Sequence, residues 1–388
     1  MQQNPLSTSK RIYLDHSATT PVDPQVLEAM LPFLQQQYGN PSSLHQFGRE
    51  ARTALGNARA KIANSFNARE SEIFFTSGGT EADNFALQGI AFHNREKGNH
   101  IITTRVEHKA VLQTCKMLEK KGFEITYLKP DHYGQVDPQL VKDAIRPQTI
   151  LISIIHGNNE TGTINPIGEI GKIAGEAGVY FHSDCVQSFG KTPLNVREMN
   201  VDLLSISAHK IYGPKGAGAL YIRRGTEIDT IFFGGNHENK RRAGTENLPG
   251  ITGFAKATEL MRENGNEIAQ FVGELRNYFQ KQLLKHIDNI QVNGHPDNRL
   301  YNLLNVSFLG CDSEMLLLSL DMKGIAVSIG SACTSGSIEL SHVLSAMGLS
   351  NAAVKSAIRF SLGKDNTREE IDDVLQALVE IVNQLRKR

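Results

Sequence analysis

Neither charge is in excess in this 388-residue chain: lysine plus arginine number 41, and so do aspartate plus glutamate. Without a basic surplus, nothing favours nucleic acid or an anionic membrane surface as a primary ligand. No run approaches the roughly eighteen continuous apolar residues of a membrane span, and the polar stretch Met1 to Lys10 has no apolar core of the secretory-signal kind. A soluble, cytoplasmic protein without membrane contact is expected. The cysteines Cys115, Cys185, Cys311 and Cys333 include no Cys-x-x-Cys pair, which fits neither a disulfide framework nor a structural zinc site and leaves reduced thiols as the default. Gly-x-Gly-x-x-Gly and Gly-x(4)-Gly-Lys-[Ser/Thr] are both missing, so dinucleotide and P-loop sites lose support. Repeats of about 20 to 50 residues and low-complexity tracts are missing too, which sets aside solenoids and disordered tails.

What is present is an alternation. Strand-like runs at Ile73–Thr76, Ile101–Val106, Ile125–Leu128, Ile150–Ile155, Val179–Phe181, Leu203–Ile206 and Leu220–Ile222 are mostly separated by helical stretches or Gly/Pro turns. That pattern predicts an α/β fold with a mainly parallel sheet of seven strands. Before it come a short strand at Ile12–Leu14 and helices near Pro24–Leu34 and Phe47–Phe66; after it, a long helix runs from Ile251 toward Leu284. A strand at Leu303–Phe308 and helices from Ser313 and from Thr367 make the last part read as α+β. The length suits two domains. The expected division is 16–262 for a large domain, with 1–15 and 263–388 forming a smaller one.

In open α/β sheets ligands bind beyond the carboxyl ends of the strands, so the residues that follow each apolar run are the informative ones. The first such set is Gly78, Gly79 and Thr80, small residues that open a helix and expose backbone N–H groups to an anion. His108 follows the second run, where a ring can stack on a flat cofactor and move protons. Asn159 lies in a polar cluster after Ile155, and Asp184 and Gln187 follow Phe181. A carboxylate in or just beyond a buried strand is costly unless a cation or several donors meet it. Ser207, His209 and Lys210 close the set, with the Gly/Pro-rich segment to Gly218 behind them. Taken singly, each has a plain structural reading: a turn, a helix cap, a solvated lysine. Jointly they supply an anion cradle, a stacking ring, an acid for a ring nitrogen and an amine, the inventory for pyridoxal 5′-phosphate.

Seven ordered motifs carry a family resemblance. Leu-Asp-His-Ser-Ala-Thr-Thr-Pro, Gly-Asn-Pro-Ser-Ser, Thr-Ser-Gly-Gly-Thr-Glu-Ala-Asp-Asn, Glu-His-Lys-Ala-Val, Asn-Asn-Glu-Thr-Gly, Ser-Ala-His-Lys-Ile-Tyr-Gly-Pro-Lys-Gly and Gly-Ser-Ala-Cys-Thr-Ser-Gly closely resemble cysteine desulfurases of the NifS/IscS type. These are class V aminotransferase-group, fold-type I enzymes that use pyridoxal 5′-phosphate and are usually homodimers. The similarity runs from about residue 11 to the C-terminus. It implies Lys210 as the Schiff-base lysine, Asp184 as the pyridinium partner and His108 as a stacking, proton-transferring residue. Thr80, Ser207 and His209 would hold the phosphate, Asn159 and Gln187 would lie near the ring oxygen, and Asn159 would also meet substrate. Thr245 would reach the phosphate of a neighbouring subunit, and Arg359 would clamp the substrate carboxylate, a task suited to a planar fork of donors.

Cys333 sits among small residues with little to pack and much backbone freedom, a setting for a reactive thiol rather than a structural one. The resemblance makes it the acceptor of sulfur from L-cysteine, giving L-alanine and a persulfide that passes to an iron–sulfur scaffold or another acceptor protein. No intrinsic metal site is implied, although Cys333 could contact a nascent cluster shared with a scaffold. Rival readings are a selenocysteine lyase or an aminotransferase, and, from another class, a non-catalytic assembly partner. Intact Lys210, Asp184, His108 and Cys333 argue against the last. Departures from the family's usual forms fall at His16, Gly157, Cys185 and Ile329. Cys185 is read as packing, because neighbouring strand residues face opposite sides.

Overall fold

The computed structural model describes residues 11–330 and 340–387. Its strands are β1 (Ile12–Tyr13), β2 (Ile73–Thr76), β3 (His100–Thr104), β4 (Glu124–Leu128), β5 (Thr149–Ser153), β6 (Tyr180–Asp184), β7 (Leu203–Ser207), β8 (Gly218–Ile222), β9 (Ile290–Asn293), β10 (Leu303–Phe308), β11 (Ile325–Ala326) and β12 (Ala357–Ser361). The helices are α1 (Pro24–Gln35), α2 (Gln46–Asn64), α3 (Gly79–His93), α4 (Lys109–Glu119), α5 (Pro138–Ala144), α6 (Ile167–Ala177), α7 (Leu248–His286), α8 (Ser313–Met322), α9 (His342–Ala346), α10 (Asn351–Lys355) and α11 (Arg368–Leu385).

Seven strands form one sheet in the order β2-β8-β7-β6-β5-β3-β4, parallel throughout except that β8 runs against both of its neighbours. Its central strands are buried on both faces, the reason they read as continuous apolar runs. Side chains alternate between two layers: Ile101, Leu151 and Leu203 pack on α3 and α4, whereas Ile102, Ile152 and Leu204 pack with α2, α6 and the first half of α7. Because β2, β3, β5, β6 and β7 point the same way, their carboxyl ends share one edge.

A second apolar cluster gathers Ile12 and Leu14 from the start of the described chain with Val272 to Val382 from its end. It lies on a three-stranded antiparallel sheet, β12-β10-β9, next to the parallel pair β1–β11. Helix α7 runs 39 residues through residue 262 without a break. Ile268 on that helix touches both clusters. Helix α11 opens with a reciprocal cap in which the Thr367 hydroxyl accepts from Glu370 N–H and the Glu370 carboxylate accepts from Thr367 N–H.

Several element ends differ from the expected ones. Strands β3 and β5 stop at Thr104 and Ser153, two residues early, where the Thr104 hydroxyl and the Ile155 N–H both donate to the buried Glu107 carboxylate. Strand β6 runs on to Asp184, which is therefore the last residue of a strand. β9, β11, β12, α9 and α10 were not expected; β11, α9 and α10 are too short for a periodic signal. None of the described helices is long and apolar enough to cross a membrane.

Candidate active site

A cavity of about 480 Å³ opens at the shared strand edge. Gly79, Thr80, His108, Asn159, Asp184, Gln187, His209, Lys210 and Arg359 all line it. Two of the expected residues do not: Ser207 is buried beside it, and Thr245 is exposed in the segment before α7. Cys333 lies outside the described residues.

Lys210 ends the short helical turn that follows β7, so the strand fixes its backbone. Its ammonium donates to the Ser17 carbonyl at 2.6 Å and the Ala18 carbonyl at 2.7 Å. Burial, reinforced by the Arg359 charge, lowers its pKa to about 8. An ordinary lysine amine is protonated to near 10.5, so this one supplies far more of the neutral, nucleophilic form at neutral pH. Ser17 O also accepts from the Gln187 amide at 2.8 Å, and the Gln187 oxygen accepts from Lys191 at 3.2 Å. Lys191 is itself pulled down to about 7, by burial first and then by the charges of Lys210 and Arg359.

Asp184 accepts the Val186 N–H at 2.9 Å. Burial pushes its carboxyl up, and the His108 and Lys210 charges pull it back toward ionisation. His108 caps α4, its Nδ1 accepting from Ala110 N–H at 3.1 Å, which leaves the proton of the neutral ring on Nε2. Burial lowers its pKa. Beside these two sits Asp83, buried on α3, whose Oδ1 makes no hydrogen bond among the described residues and lies 3.6 Å from His182 Nε2. One side-chain atom each of Asp83, His108 and Asp184 lie within 4.8 Å of one another. Two buried carboxyls so close cannot both ionise, and burial together with the Asp184 charge holds Asp83 well above the usual range.

Opposite stands Arg359, on β12 and only 5% exposed. It donates to Asp15 Oδ1 at 2.8 Å and to the Asn159 carbonyl at 3.0 Å, which fixes the plane of the guanidinium. His209 places Nδ1 3.2 Å from Thr19 Oγ1 and is kept neutral near pH 7, its pKa lowered to about 4 by burial and then by the Lys210 charge.

The donor set fits a phosphorylated pyridine. Helix α3 begins at Gly79 with no side-chain cap, so its N-terminal amides are open to an anion. The buried Ser207 hydroxyl has no partner among the described residues and stands 3.8 Å from where Gly78 would carry a Cβ. Asn159 Oδ1 is likewise buried and unpartnered among them. Asp184 offers the acid that a ring nitrogen requires.

The aminotransferase class-V family profile matches residues 12–374. The chain belongs to that family. Its relatives include cysteine desulfurase IscS of Methanosarcina thermophila, 52% identical over 384 residues that cover 99% of this chain and 95% of the relative. Cysteine desulfurase IscS of Dictyoglomus turgidum is 53% identical over 378 residues, 97% of this chain and 96% of that one. Among solved structures, a NifS-like protein superposes with a TM-score of 0.91 at 39% identity, covering 97% of this chain and all of its own. SspA in complex with cysteine superposes at 0.83 and 39% identity, over 92% of this chain and 100% of its own.

Asp15, Asp83, Glu160, Lys191 and His342 also line or support this class-V site and were not expected there. Lys191 reads in sequence as an ordinary turn position. Asp15, Asp83 and Glu160 lie inside three of the ordered motifs, the one signal that could have found them. Cys115 and Cys185 are fully buried, and Cys185 Sγ rests 3.6 Å from Ser183 Oγ within the apolar layer. Burial pushes the Cys185 thiol up to about 12, a value that suits packing rather than nucleophilic work.

Proposed function

We propose that this chain is a cysteine desulfurase that holds pyridoxal 5′-phosphate and moves sulfur from L-cysteine onto Cys333, releasing L-alanine. The observation that carries the reading is the cavity on which Lys210, Asp184, His108 and Arg359 converge. The relatives named above support the substrate, one of them by its own complex with cysteine.

When bound, the cofactor supplies an electron sink that delocalises charge from the substrate Cα. Lys210 would hold it covalently, Asp184 would keep its ring nitrogen charged, and Gly79, Thr80, Ser207 and His209 would receive the phosphate. Thr245, exposed and away from the cavity, is proposed to reach the phosphate of the partner subunit in a homodimer. His108 and Asn159 would flank the ring, and Gln187 its oxygen. Arg359 orients the substrate through its carboxylate, held in place by Asp15 and Asn159. The Lys210 amine, once released, takes the Cα proton. Cys333 thiolate then attacks the substrate sulfur: a sulfur–sulfur bond forms, the Cβ–sulfur bond breaks and its electron pair takes up a proton at Cβ, and return of a proton from the Lys210 ammonium to Cα completes alanine. Cys333 is left as a persulfide for an iron–sulfur scaffold or another acceptor protein.

The same reading divides the chain into 16–262, which binds the cofactor, and 1–15 with 263–388, which carries Arg359 and Cys333. An apolar cluster drawn from 26–261 and another drawn from 12–14 and 272–382 support that division. A reducing compartment, the cytoplasm, suits the free cysteines Cys115, Cys185 and Cys311. The test is direct: loaded with pyridoxal 5′-phosphate, the purified protein converts L-cysteine to equal amounts of alanine and protein persulfide. Cys333→Ser is expected to keep the cofactor and lose sulfur release; unchanged release in that variant, or a protein that never takes up the cofactor, overturns the reading.

A further inference from the structure

Lys191 lies outside the cavity lining, one step behind Gln187, which is 4% exposed and part of that lining. Two tight turns after β6 place it there: Phe189 N–H donates to the Cys185 carbonyl at 2.8 Å, and Lys191 N–H to the Ser188 carbonyl at 3.0 Å. Between them Gly190 has a φ of +70°, and a Cβ there would come within 2.9 Å of Ile211. Glycine lets the chain turn here without strain. The Lys191 amine then donates to Gln187 Oε1 at 3.2 Å.

A neutral amide is an unusual partner for a lysine in such surroundings. Both charges that act on Lys191, those of Lys210 and Arg359, are cationic. His16, which also faces it, is neutral near pH 7, its pKa lowered to about 4 by burial and then by the Lys191 charge. No carboxylate acts on Lys191 among the described residues, and a cation drawn out of water without a counter-ion is costly. From Gln187 the contacts run on to the reactive amine. Gln187 Nε2 donates to the Ser17 carbonyl at 2.8 Å, the same carbonyl accepts from Lys210 at 2.6 Å, and Ser17 N–H donates to Ser361 Oγ at 2.8 Å. Turned over, the amide would set its oxygen against that carbonyl and its NH2 against an ammonium, two repulsions in place of two hydrogen bonds. The amide is therefore oriented from both ends. Its NH2 carries two hydrogens, and with one on Ser17 the other is left for the cavity.

We propose that Lys191 is a positioning residue for the cofactor: by holding the Gln187 oxygen it keeps the amide's NH2 group, which can only donate, turned toward the ring oxygen. A donor there favours negative charge on that oxygen, which lowers the affinity of the neighbouring lysine linkage for its proton. Without Lys191 the Ser17 carbonyl alone orients the amide, and its oxygen has no donor to hold it. The inference rests on the reading that the cavity holds pyridoxal 5′-phosphate, and it adds a role for a residue behind the lining.

The test titrates apoenzyme with pyridoxal 5′-phosphate and then follows the visible absorbance of the lysine-linked cofactor against pH. Lys191→Met removes the donor at similar length and is expected to weaken cofactor binding about three- to tenfold, the effect of losing one or two hydrogen bonds. The pH midpoint at which the visible band is lost should rise by about half a unit or more. Lys191→Arg keeps a donor and should bind the cofactor to within about twofold of the parent, with the midpoint restored. Gln187→Ala gives changes at least as large as Lys191→Met, and adding Lys191→Met to it alters neither signal further, because the lysine acts through the amide. A charge acting directly on the linkage would instead keep its effect in the Gln187→Ala background. That additive outcome overturns the proposal, and so does a Lys191→Met enzyme with unchanged binding and midpoint. Where Lys191→Met does not fold, Lys191→Ser, which leaves room for water but cannot reach the amide, is read against the same outcomes. Failure of the underlying reading looks different, since the parent protein itself then takes up no cofactor.

Discussion

The two walls of the cavity are built on different terms. One wall is the carboxyl edge of the seven-stranded sheet, where Asp184 ends β6, Lys210 follows β7 and His108 precedes α4. Each has its backbone placed by the strand or helix it adjoins, within a few residues. The facing wall comes from chain segments far apart: Asp15, the turn at Asn159, and Arg359 on β12, with His342 beside them. There, each side chain is placed by another segment's side chain or carbonyl. The sheet edge brings reactive groups to fixed points, whereas the facing wall exists only once distant segments have met; in the proposed reading that wall holds the substrate.

That contrast predicts which substitutions stop the reaction and which only misdirect it. The largest effect is expected at the sheet edge: Lys210→Ala should cut alanine formation by about a thousandfold or more and remove the visible absorbance of lysine-linked cofactor. Arg359→Lys comes next and should act on binding. Loss of the two-pronged geometry raises KM for L-cysteine by about a hundredfold while the cofactor spectrum is kept. Steady-state kinetics with absorbance separate the two, and an Arg359→Lys enzyme that binds cysteine normally would erase the distinction between the walls.

A third outcome reads the Lys210 environment. With its pKa lowered to about 8 from 10.5, the amine is mostly neutral above pH 8. Cofactor uptake by apoenzyme, followed by absorbance, should therefore rise through a midpoint near 8; a midpoint above 10 would mean the amine is solvated. The smallest effect concerns Glu107, which sits under the sheet edge and whose carboxyl burial raises to about 8 from 4.5. A raised carboxyl contributes stability that is full below the unfolded value and is lost as pH climbs from 4.5 through about 8. Glu107→Gln carries no such proton. Its Tm should gain on the parent by several degrees between pH 5 and 8, in thermal melts at matched ionic strength.

Legibility in the sequence follows the same division. An apolar run that ends in Asp184, or in Ser207, His209 and Lys210, announces a strand end by composition, so the sheet edge could be read locally. The reversal of β8 could not, since a buried strand has the same composition in either direction. Arg359 has no local signal: it lies in a buried strand, and only the family resemblance pointed to a role. Asp83 was hidden for a different reason. On a helix, a polar residue is ordinarily taken as solvent-facing, and its burial comes from a contact with the end of β6, about a hundred residues away. His342 opens a helix too short to show a period.

The ion pair of Arg359 with Asp15 joins residues 344 positions apart. During synthesis the N-terminal partner leaves the ribosome long before the C-terminal one exists, and domains form in the order they emerge. The strands that carry Lys210, Asp184 and His108 are complete by residue 222. A nascent chain can therefore own an assembled amine and its acidic neighbour while the proposed substrate clamp, Arg359, does not yet exist. Under the proposed reading, the means to recognise cysteine arrives only near the end of translation, when Arg359 on β12 meets Asp15.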